Sequence, residues 1–333
     1  QEMYQHELKI KKHKKITHYT YGRYGSTTTI ELENILKELE HAYHVFLTGT
    51  GFGGIALALM SLCRPGDEII VSDNVYGPTK EISEKLLKEF NVNAKFYNPD
   101  SFEDLKSKVT NKTKAVLAVH MLGLGGPIIE LKKFCETNNL ILIEDACEII
   151  GGKCNSFYYG SFGDIGIFSL DFAKNITCGE GGVTLTNNKD YGTYINQYID
   201  HGHENNPNLK RGRDNRVMPG FNYRMTELQA AIANVQLDKL TFIIKKNTER
   251  YKLLYKNISP FLKVREELKY HSGSYDTFIF MVKEEQIRNK IINMLNLSGL
   301  GTKILPDAME WHCSAYWGHA LDNIAISNSI STL

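Results

Sequence analysis

The run Gly163-Asp164-Ile165-Gly166-Ile167-Phe168-Ser169-Leu170-Asp171-Phe172-Ala173-Lys174-Asn175-Ile176-Thr177-Cys178-Gly179-Glu180-Gly181-Gly182 decides the fold. Its apolar part, 164–169, has the length and content of a buried strand and ends at Ser169. Lys174 follows on a loop that soon turns at a glycine cluster. Upstream, Ile141-Leu142-Ile143-Glu144-Asp145 is a second apolar strand that closes on a carboxylate. Working outward, short strands are expected at 44–48, 68–71, 93–97, 115–119, 140–144 and 182–186, with helical stretches at 53–63, 79–90, 101–109 and 128–138. Strands alternating with helices make βαβ units and an α/β fold with a mainly parallel sheet flanked by helices, whose ligands bind beyond the carboxyl ends of the strands. Lys174 and Asp145 both fall at that edge. An amine for a Schiff base, and an anion that holds a ring nitrogen protonated, are what pyridoxal 5'-phosphate (PLP) requires of a protein.

The flanks complete the layout. Ile30, Leu32, Ile35, Leu36 and Leu39 recur at helical period over 28–42, with Thr28 and Glu31 in capping-box spacing. A long amphipathic pattern from Thr226 to about Lys256 carries Leu228, Ala231, Ile232, Val235, Leu240, Ile243 and Ile244, and predicts a helix leading out of the sheet. Beyond it, strand signals at 261–265 and 276–282 and a helix at 284–297 predict a small α+β domain. The expected division is an N-terminal arm 1–27, a large domain 28–240 and a small domain 241–333, whose end at Ser327–Leu333 reads as lacking a last strand and helix.

Composition narrows the function. With 39 Lys+Arg against 38 Asp+Glu, the formal charge of +1 gives no global attraction to nucleic acid or an acidic membrane surface. No apolar run approaches the ~20 residues of a spanning helix. Lys9, Lys11, Lys12, Lys14 and Lys15 crowd the opening without an apolar segment behind them, so they are not a secretory signal. Six cysteines without framework spacing read as reduced thiols in a cytoplasmic protein.

From about Ala115 onward, four motifs in order resemble the DegT/DnrJ/EryC1/StrS sugar aminotransferases, a branch of the fold type I PLP enzymes. They are Val119-His120-Met121-Leu122-Gly123, Glu144-Asp145-Ala146-Cys147-Glu148, the Gly163–Gly182 run, and Gly220-Phe221-Asn222-Tyr223-Arg224-Met225-Thr226-Glu227-Leu228-Gln229. Within the family, 176–182, Asp200-His201-Gly202-His203 and Trp311-His312 are most similar to the branch that makes 8-amino-3,8-dideoxy-manno-octulosonate, an amino form of a lipopolysaccharide sugar acid. The front third differs. Tyr21–Thr28, Leu47–Ile55 and Ser72–Thr79 resemble the cystathionine β-lyases of the Cys/Met-metabolism family, so the chain reads as a hybrid with a crossover near 110–120.

The resemblance implies roles. Lys174 forms the Schiff base and moves the proton; Asp145 pairs with the pyridinium nitrogen; Glu148 stands where the family mostly has Gln, beside the phenolic oxygen. Gly51 and Phe52, at a helix N-terminus, together with Ser169, take the phosphate, and Tyr76 stacks on the ring. Tyr21 and Arg23, or alternatively Asn222, reach the phosphate of a neighbouring subunit in a homodimer with shared active sites. His201, His203, Arg211 and His312 face the substrate; a zinc site for these histidines fails for want of ligand spacing and thiolates. The implied reaction moves an amino group from glutamate to a keto- or aldehydo-sugar. Two alternatives stay open: a carbon–sulfur lyase, against which stands the absence of a Ser-x-Thr-Lys pattern, and a folded hybrid without catalysis.

Overall fold

The structure is a computed structural model and describes residues 25–204, 213–215 and 218–302. Helix α1 (Thr27–Glu40) is capped by Ser26, whose Oγ accepts the Thr29 N–H while Thr29 Oγ1 accepts the Ser26 N–H. The box therefore starts earlier than the Thr28/Glu31 spacing predicts. Strand β1 (His44–Thr48), α2 (Gly51–Leu62) and β2 (Glu68–Ser72) follow. Next come α3 (Gly77–Glu81), continued by a π turn Ile82–Leu86 and a last turn Leu87–Glu89, then β3 (Asn93–Tyr97), α4 (Phe102–Lys108), β4 (Thr113–Val119), α5 (Ile128–Thr137) and β5 (Ile141–Asp145). After the short strands β6 (Lys153–Cys154) and β7 (Phe157–Tyr158) come β8 (Ile165–Ser169), β9 (Gly182–Thr186) and α6 (Lys189–Ile199).

The main sheet has the order β1-β9-β8-β5-β4-β2-β3. β9 runs antiparallel to both of its neighbours, and the other pairings are parallel. The reversal follows from the chain: every other neighbouring step crosses over through longer connections, whereas β8 passes to β9 through the Lys174 loop without a helix. Successive side chains on a strand point to opposite faces, so the strands carry unbroken apolar runs and feed two cores. Ile70, Val116, Leu142 and Phe168 pack with Leu32 and Leu36 of α1 on one face. Ile69, Val71, Leu117, Ile143 and Ile167 pack with Ile55 and Leu59 of α2 and Ile195 of α6 on the other.

The long helical pattern at 226–256 resolves into two helices, α7 (Glu227–Leu237) and α8 (Leu240–Ile258). Its apolar stripe does not face the core: Ala230, Ala233 and Leu237 are buried, while Leu228, Ile232 and Val235 are 78, 48 and 59% exposed. The strand expectations at 261–265 and 276–282 shrink to β10 (Lys263–Val264) and β12 (Phe280–Met281), which pair with each other. Between them β11 (His271–Ser272) joins β6 and β7 in a separate small sheet, and α9 (Glu285–Leu297) follows. No described helix is long and apolar enough to cross a membrane.

One core residue opposes stability. Glu40, at the end of α1, is 1% exposed and neither carboxylate oxygen has a hydrogen-bond partner among the described residues. Burial, reinforced by the nearby charge of Glu144 and eased by Lys153, pushes its carboxyl up to about 8. The folded state therefore holds a proton that the unfolded chain releases from the ordinary carboxylate range upward, so stability falls as pH rises from about 4.5 to about 8. Glu40→Met should make that slope shallower and raise stability at pH 8 by on the order of 3 kcal/mol. Urea unfolding from pH 5 to 8 measures it, and parallel wild-type and variant curves would refute the assignment.

Candidate active site

Helix α2 begins with Thr50 in extended conformation (φ −150°), and its Oγ1 accepts the Gly53 N–H at 2.9 Å. One of the first-turn donors is thereby satisfied; those of Gly51 and Phe52 have no protein partner among the described residues. A Cβ on Gly51 would stand 2.6 Å from Cβ and 2.7 Å from Oγ of Ser169, so glycine lets the helix start press against the end of β8. Two N–H groups at a helix N-terminus beside a hydroxyl suit an anion such as a phosphate.

Asp145 ends β5 next to β8, with its Cα in register with Ile167, and is 4% exposed. One oxygen accepts the Cys147 N–H at 3.2 Å, and no described residue pairs with it as a cation. Burial raises its carboxyl; the bonds from Cys147 and the charge of Lys174 pull the other way. A buried carboxylate of this kind needs a cationic partner to remain ionised, and a protonated ring nitrogen is such a partner.

Lys174 sits in a turn after β8, its N–H donated to Asp171 O. Its Nζ donates to Glu148 Oε1 at 3.1 Å. Burial draws the ammonium down, but the charge and hydrogen bond of Glu148 more than offset it, and Lys174 is held above the ordinary lysine range. To attack a carbonyl it must lose a proton, and Glu148 is the group in contact with that proton. The second oxygen, Oε2, accepts the Leu122 N–H at 2.9 Å. Phe52 and Tyr76 are 36 and 41% exposed, and the Tyr76 hydroxyl lies within electrostatic reach of Lys174 and Glu148. Below the site on the opposite face of the sheet, Glu144 accepts from His120 Nε2 at 3.0 Å and from Gly160 N–H at 2.9 Å, while His120 Nδ1 accepts the Gly126 N–H. This fully buried pair ties the ends of β4 and β5 together.

The structure thus brings Gly51, Ser169, Asp145, Glu148 and Lys174 to one edge, with Phe52 and Tyr76 beside them. It does not bring His201 and His203 into that group. His201 Nδ1 is 3.2 Å from Asp200 Oδ1, and His203 Nδ1 is 3.1 Å from Asp214 Oδ1. Burial works against the Asp214 charge, yet bonds from His203 and the Glu204 N–H hold its carboxyl below the ordinary range. Asn222 is exposed, bridging Asp200 in a two-residue strand contact, and Asp200 also meets Arg224. Tyr21, Arg23, Arg211 and His312 lie outside the described residues. Sequence reading missed Arg265 and Ser274, which reach the Met121–Gly123 turn from far along the chain, and no local pattern marks them.

A parallel sheet with one reversed strand, a lysine in the loop before that strand and an acid at the neighbouring strand end define a fold type I PLP enzyme. The chain belongs to the DegT/DnrJ/EryC1/StrS aminotransferase family, whose profile matches residues 6–325. GDP-perosamine synthase of Escherichia coli O157:H7 is 31% identical over 273 residues, covering 80% of this chain and 72% of that protein. The lipopolysaccharide biosynthesis protein RfbH of Salmonella typhimurium LT2 is 27% identical over 323 residues, 86% of this chain and 73% of its own. Among solved structures, E. coli GDP-4-keto-6-deoxy-D-mannose-3-dehydratase with bound hydrated PLP matches with a TM-score of 0.70 at 26% identity, covering 83% of this chain and 77% of that one.

The family match runs through the front third, so the hybrid reading with a crossover near 110–120 gives way to one family along the chain. The lyase alternative has no support from these relatives. The lyase-like stretches at 47–55 and 72–79 build the start of α2 and the loop that carries Tyr76.

Proposed function

We propose that the chain transfers an amino group from glutamate to the carbonyl of a keto- or aldehydo-sugar in the biosynthesis of a surface polysaccharide. The observation that carries this is the Lys174–Glu148 contact at 3.1 Å, near a buried Asp145 that no cation among the described residues pairs with. The named chemistry of relatives supports the sugar: GDP-perosamine synthases, and a GDP-4-keto-6-deoxymannose-3-dehydratase caught with a PLP–glutamate adduct, which also supports glutamate as donor. These relatives favour a nucleotide-linked keto-sugar over the eight-carbon acid suggested by 176–182 and the Asp200–His203 segment. His201 and His203, whose rings rest on Asp200 and Asp214 outside the cofactor group, are proposed with Arg211 and His312 to meet the more distant part of that substrate.

PLP supplies a carbonyl that captures amines and a ring that accepts the electron pair left when a substrate C–H bond breaks. The protein does the rest. The Gly51 and Phe52 N–H groups and the Ser169 hydroxyl would hold the phosphate, and Asp145 would keep the ring nitrogen protonated. Tyr76 walls one face. Glu148 would orient the Lys174 amine through its contact with Nζ, and Lys174 Nζ would take the proton from the substrate carbon as a positioned general base.

The exposed stripe Leu228, Ile232 and Val235 on α7, with Phe221 at 53% and the exposed Asn222 nearby in sequence, supports a homodimer in which either Asn222 or the pair Tyr21 and Arg23 serves the partner's phosphate. Sedimentation showing a monomer at micromolar concentration would contradict it. The break at Asp238–Lys239 between α7 and α8 supports a division into large and small domains near 240. The described cysteines are all unpaired, in keeping with a cytoplasmic enzyme.

The test is spectroscopic. Purified protein given PLP should develop a visible-edge absorbance band that excess glutamate converts to the shorter-wavelength amine form. A band indifferent to glutamate would overturn the donor assignment, and no band would leave a folded protein without this chemistry.

A further inference from the structure

Glu148 is aimed from both sides. Its Oε2 accepts the Leu122 N–H, and its backbone carbonyl accepts the Gly123 N–H at 3.0 Å. To present these donors the turn holds Leu122 at φ +54° and Gly123 at φ +75°. The first is a left-handed conformation that costs a branched apolar residue energy unless its surroundings enforce it. A side chain at Gly123 would also collide with Asp276.

The enforcement comes from the C-terminal segment. Arg265 Nη1 donates to Met121 O at 2.6 Å, the Ser274 N–H donates to Gly123 O at 2.9 Å, and Ser274 Oγ donates to Glu148 O at 3.5 Å. Asn247 of α8 secures the same segment, donating to Ser274 O at 3.3 Å and to Asn175 Oδ1, next to Lys174, at 3.0 Å. A half-buried guanidinium on a carbonyl is the strongest of these ties, because the donor is charged.

We propose that Arg265 is a positioning residue for the reactive lysine: by clamping Met121 it fixes the Leu122 turn, and through that turn it holds Glu148 on Lys174. The docked C-terminal segment thereby sets the proton affinity of the reactive amine. The charged and titratable groups around Lys174 are Glu148, Cys147 and Asp145, with Tyr76 and Asp276 also within reach; those around Arg265 are Tyr251, Asp100 and Glu148.

The sign of the effect separates this role from plain electrostatics. Deleting a cation near an ammonium favours the charged amine and slows its acylation. Releasing Glu148 from Lys174 does the opposite, because the contact that holds Lys174 protonated is lost. The experiment is pH-dependent labelling of Lys174 by dilute acetic anhydride in cofactor-free protein, read by peptide mass spectrometry.

Arg265→Gln should label about tenfold faster than wild type at pH 8, equivalent to a drop of about one unit in the lysine's apparent pKa. Glu148→Gln should do the same. The double variant should be no faster than Glu148→Gln alone, since both act through one contact. Arg265→Lys, which keeps a charged donor for Met121 O, should restore slow labelling, and this rescue guards against a folding defect.

Slower or unchanged labelling in Arg265→Gln, or additive effects in the double variant, would overturn the proposal. The inference rests on Lys174 as the reactive amine, yet its test needs no cofactor. Failure of the wild type to form a PLP band would sink the functional reading and leave this coupling standing.

Discussion

Lys174→Ala should lose transamination by roughly four orders of magnitude or more, the upper range for removing a positioned acid–base group and here with its covalent role lost as well. The loss should fall on both half-reactions alike, because the same Nζ serves each. Binding of PLP should survive, since Gly51, Phe52, Ser169 and Asp145 remain in place. Single-turnover kinetics with glutamate, followed by absorbance, measures this. Residual turnover within about tenfold of wild type would show that another group does the work. Added methylamine should recover part of the rate, as a small amine entering the space left by the side chain.

The second large effect is at Asp145. Asp145→Asn should cost roughly two to three orders of magnitude in turnover, the size expected when one member of a buried charge pair is removed. Its effect on stability should have the opposite sign. Without cofactor, burial raises the Asp145 carboxyl, so the folded state disfavours the anion and loses stability as pH climbs above the ordinary carboxylate range. Asparagine cannot ionise, so cofactor-free Asp145→Asn should melt at a higher temperature than cofactor-free wild type at pH 8. Added PLP should stabilise wild type more than the variant, because the ion pair forms only in the former. An equal gain in melting temperature from PLP in both proteins would exclude Asp145 as the partner of the ring nitrogen.

The parts of the fold that rest on local pattern were legible before any coordinates. Seven apolar strands with turns at their ends point to the sheet, and Asp145 and Lys174 stand out because the first ends one buried strand and the second lies on the loop that leaves its neighbour. The α7 stripe misled for a physical reason. A helix shows an apolar face wherever it meets any nonpolar surface, and Leu228, Ile232 and Val235 point away from this chain's core, toward solvent or a second copy. The π turn at Ile82–Leu86 left the apolar period of α3 nearly intact and gave no signal.

Arg265, Ser274 and the His203–Asp214 contact share another cause of silence. Each depends on the chain returning to a place set by tertiary packing, as when Arg265 meets Met121, and neither periodicity nor spacing encodes such a return. The front third misled in a third way. Its glycines at the start of α2 answer to close packing against Ser169, Thr184 and Ile167, a demand of the helix–sheet approach, so local likeness there does not separate one family from another.

One amine, Lys174, is proposed to carry the chemistry. Borohydride reduction of the PLP-loaded protein followed by proteolysis and mass spectrometry tests it most directly. A single pyridoxyl group is expected on the peptide containing Lys174, absent after Lys174→Ala; a pyridoxyl group on a different lysine, or none on protein that shows the visible band, would rule out Lys174 as the Schiff-base amine.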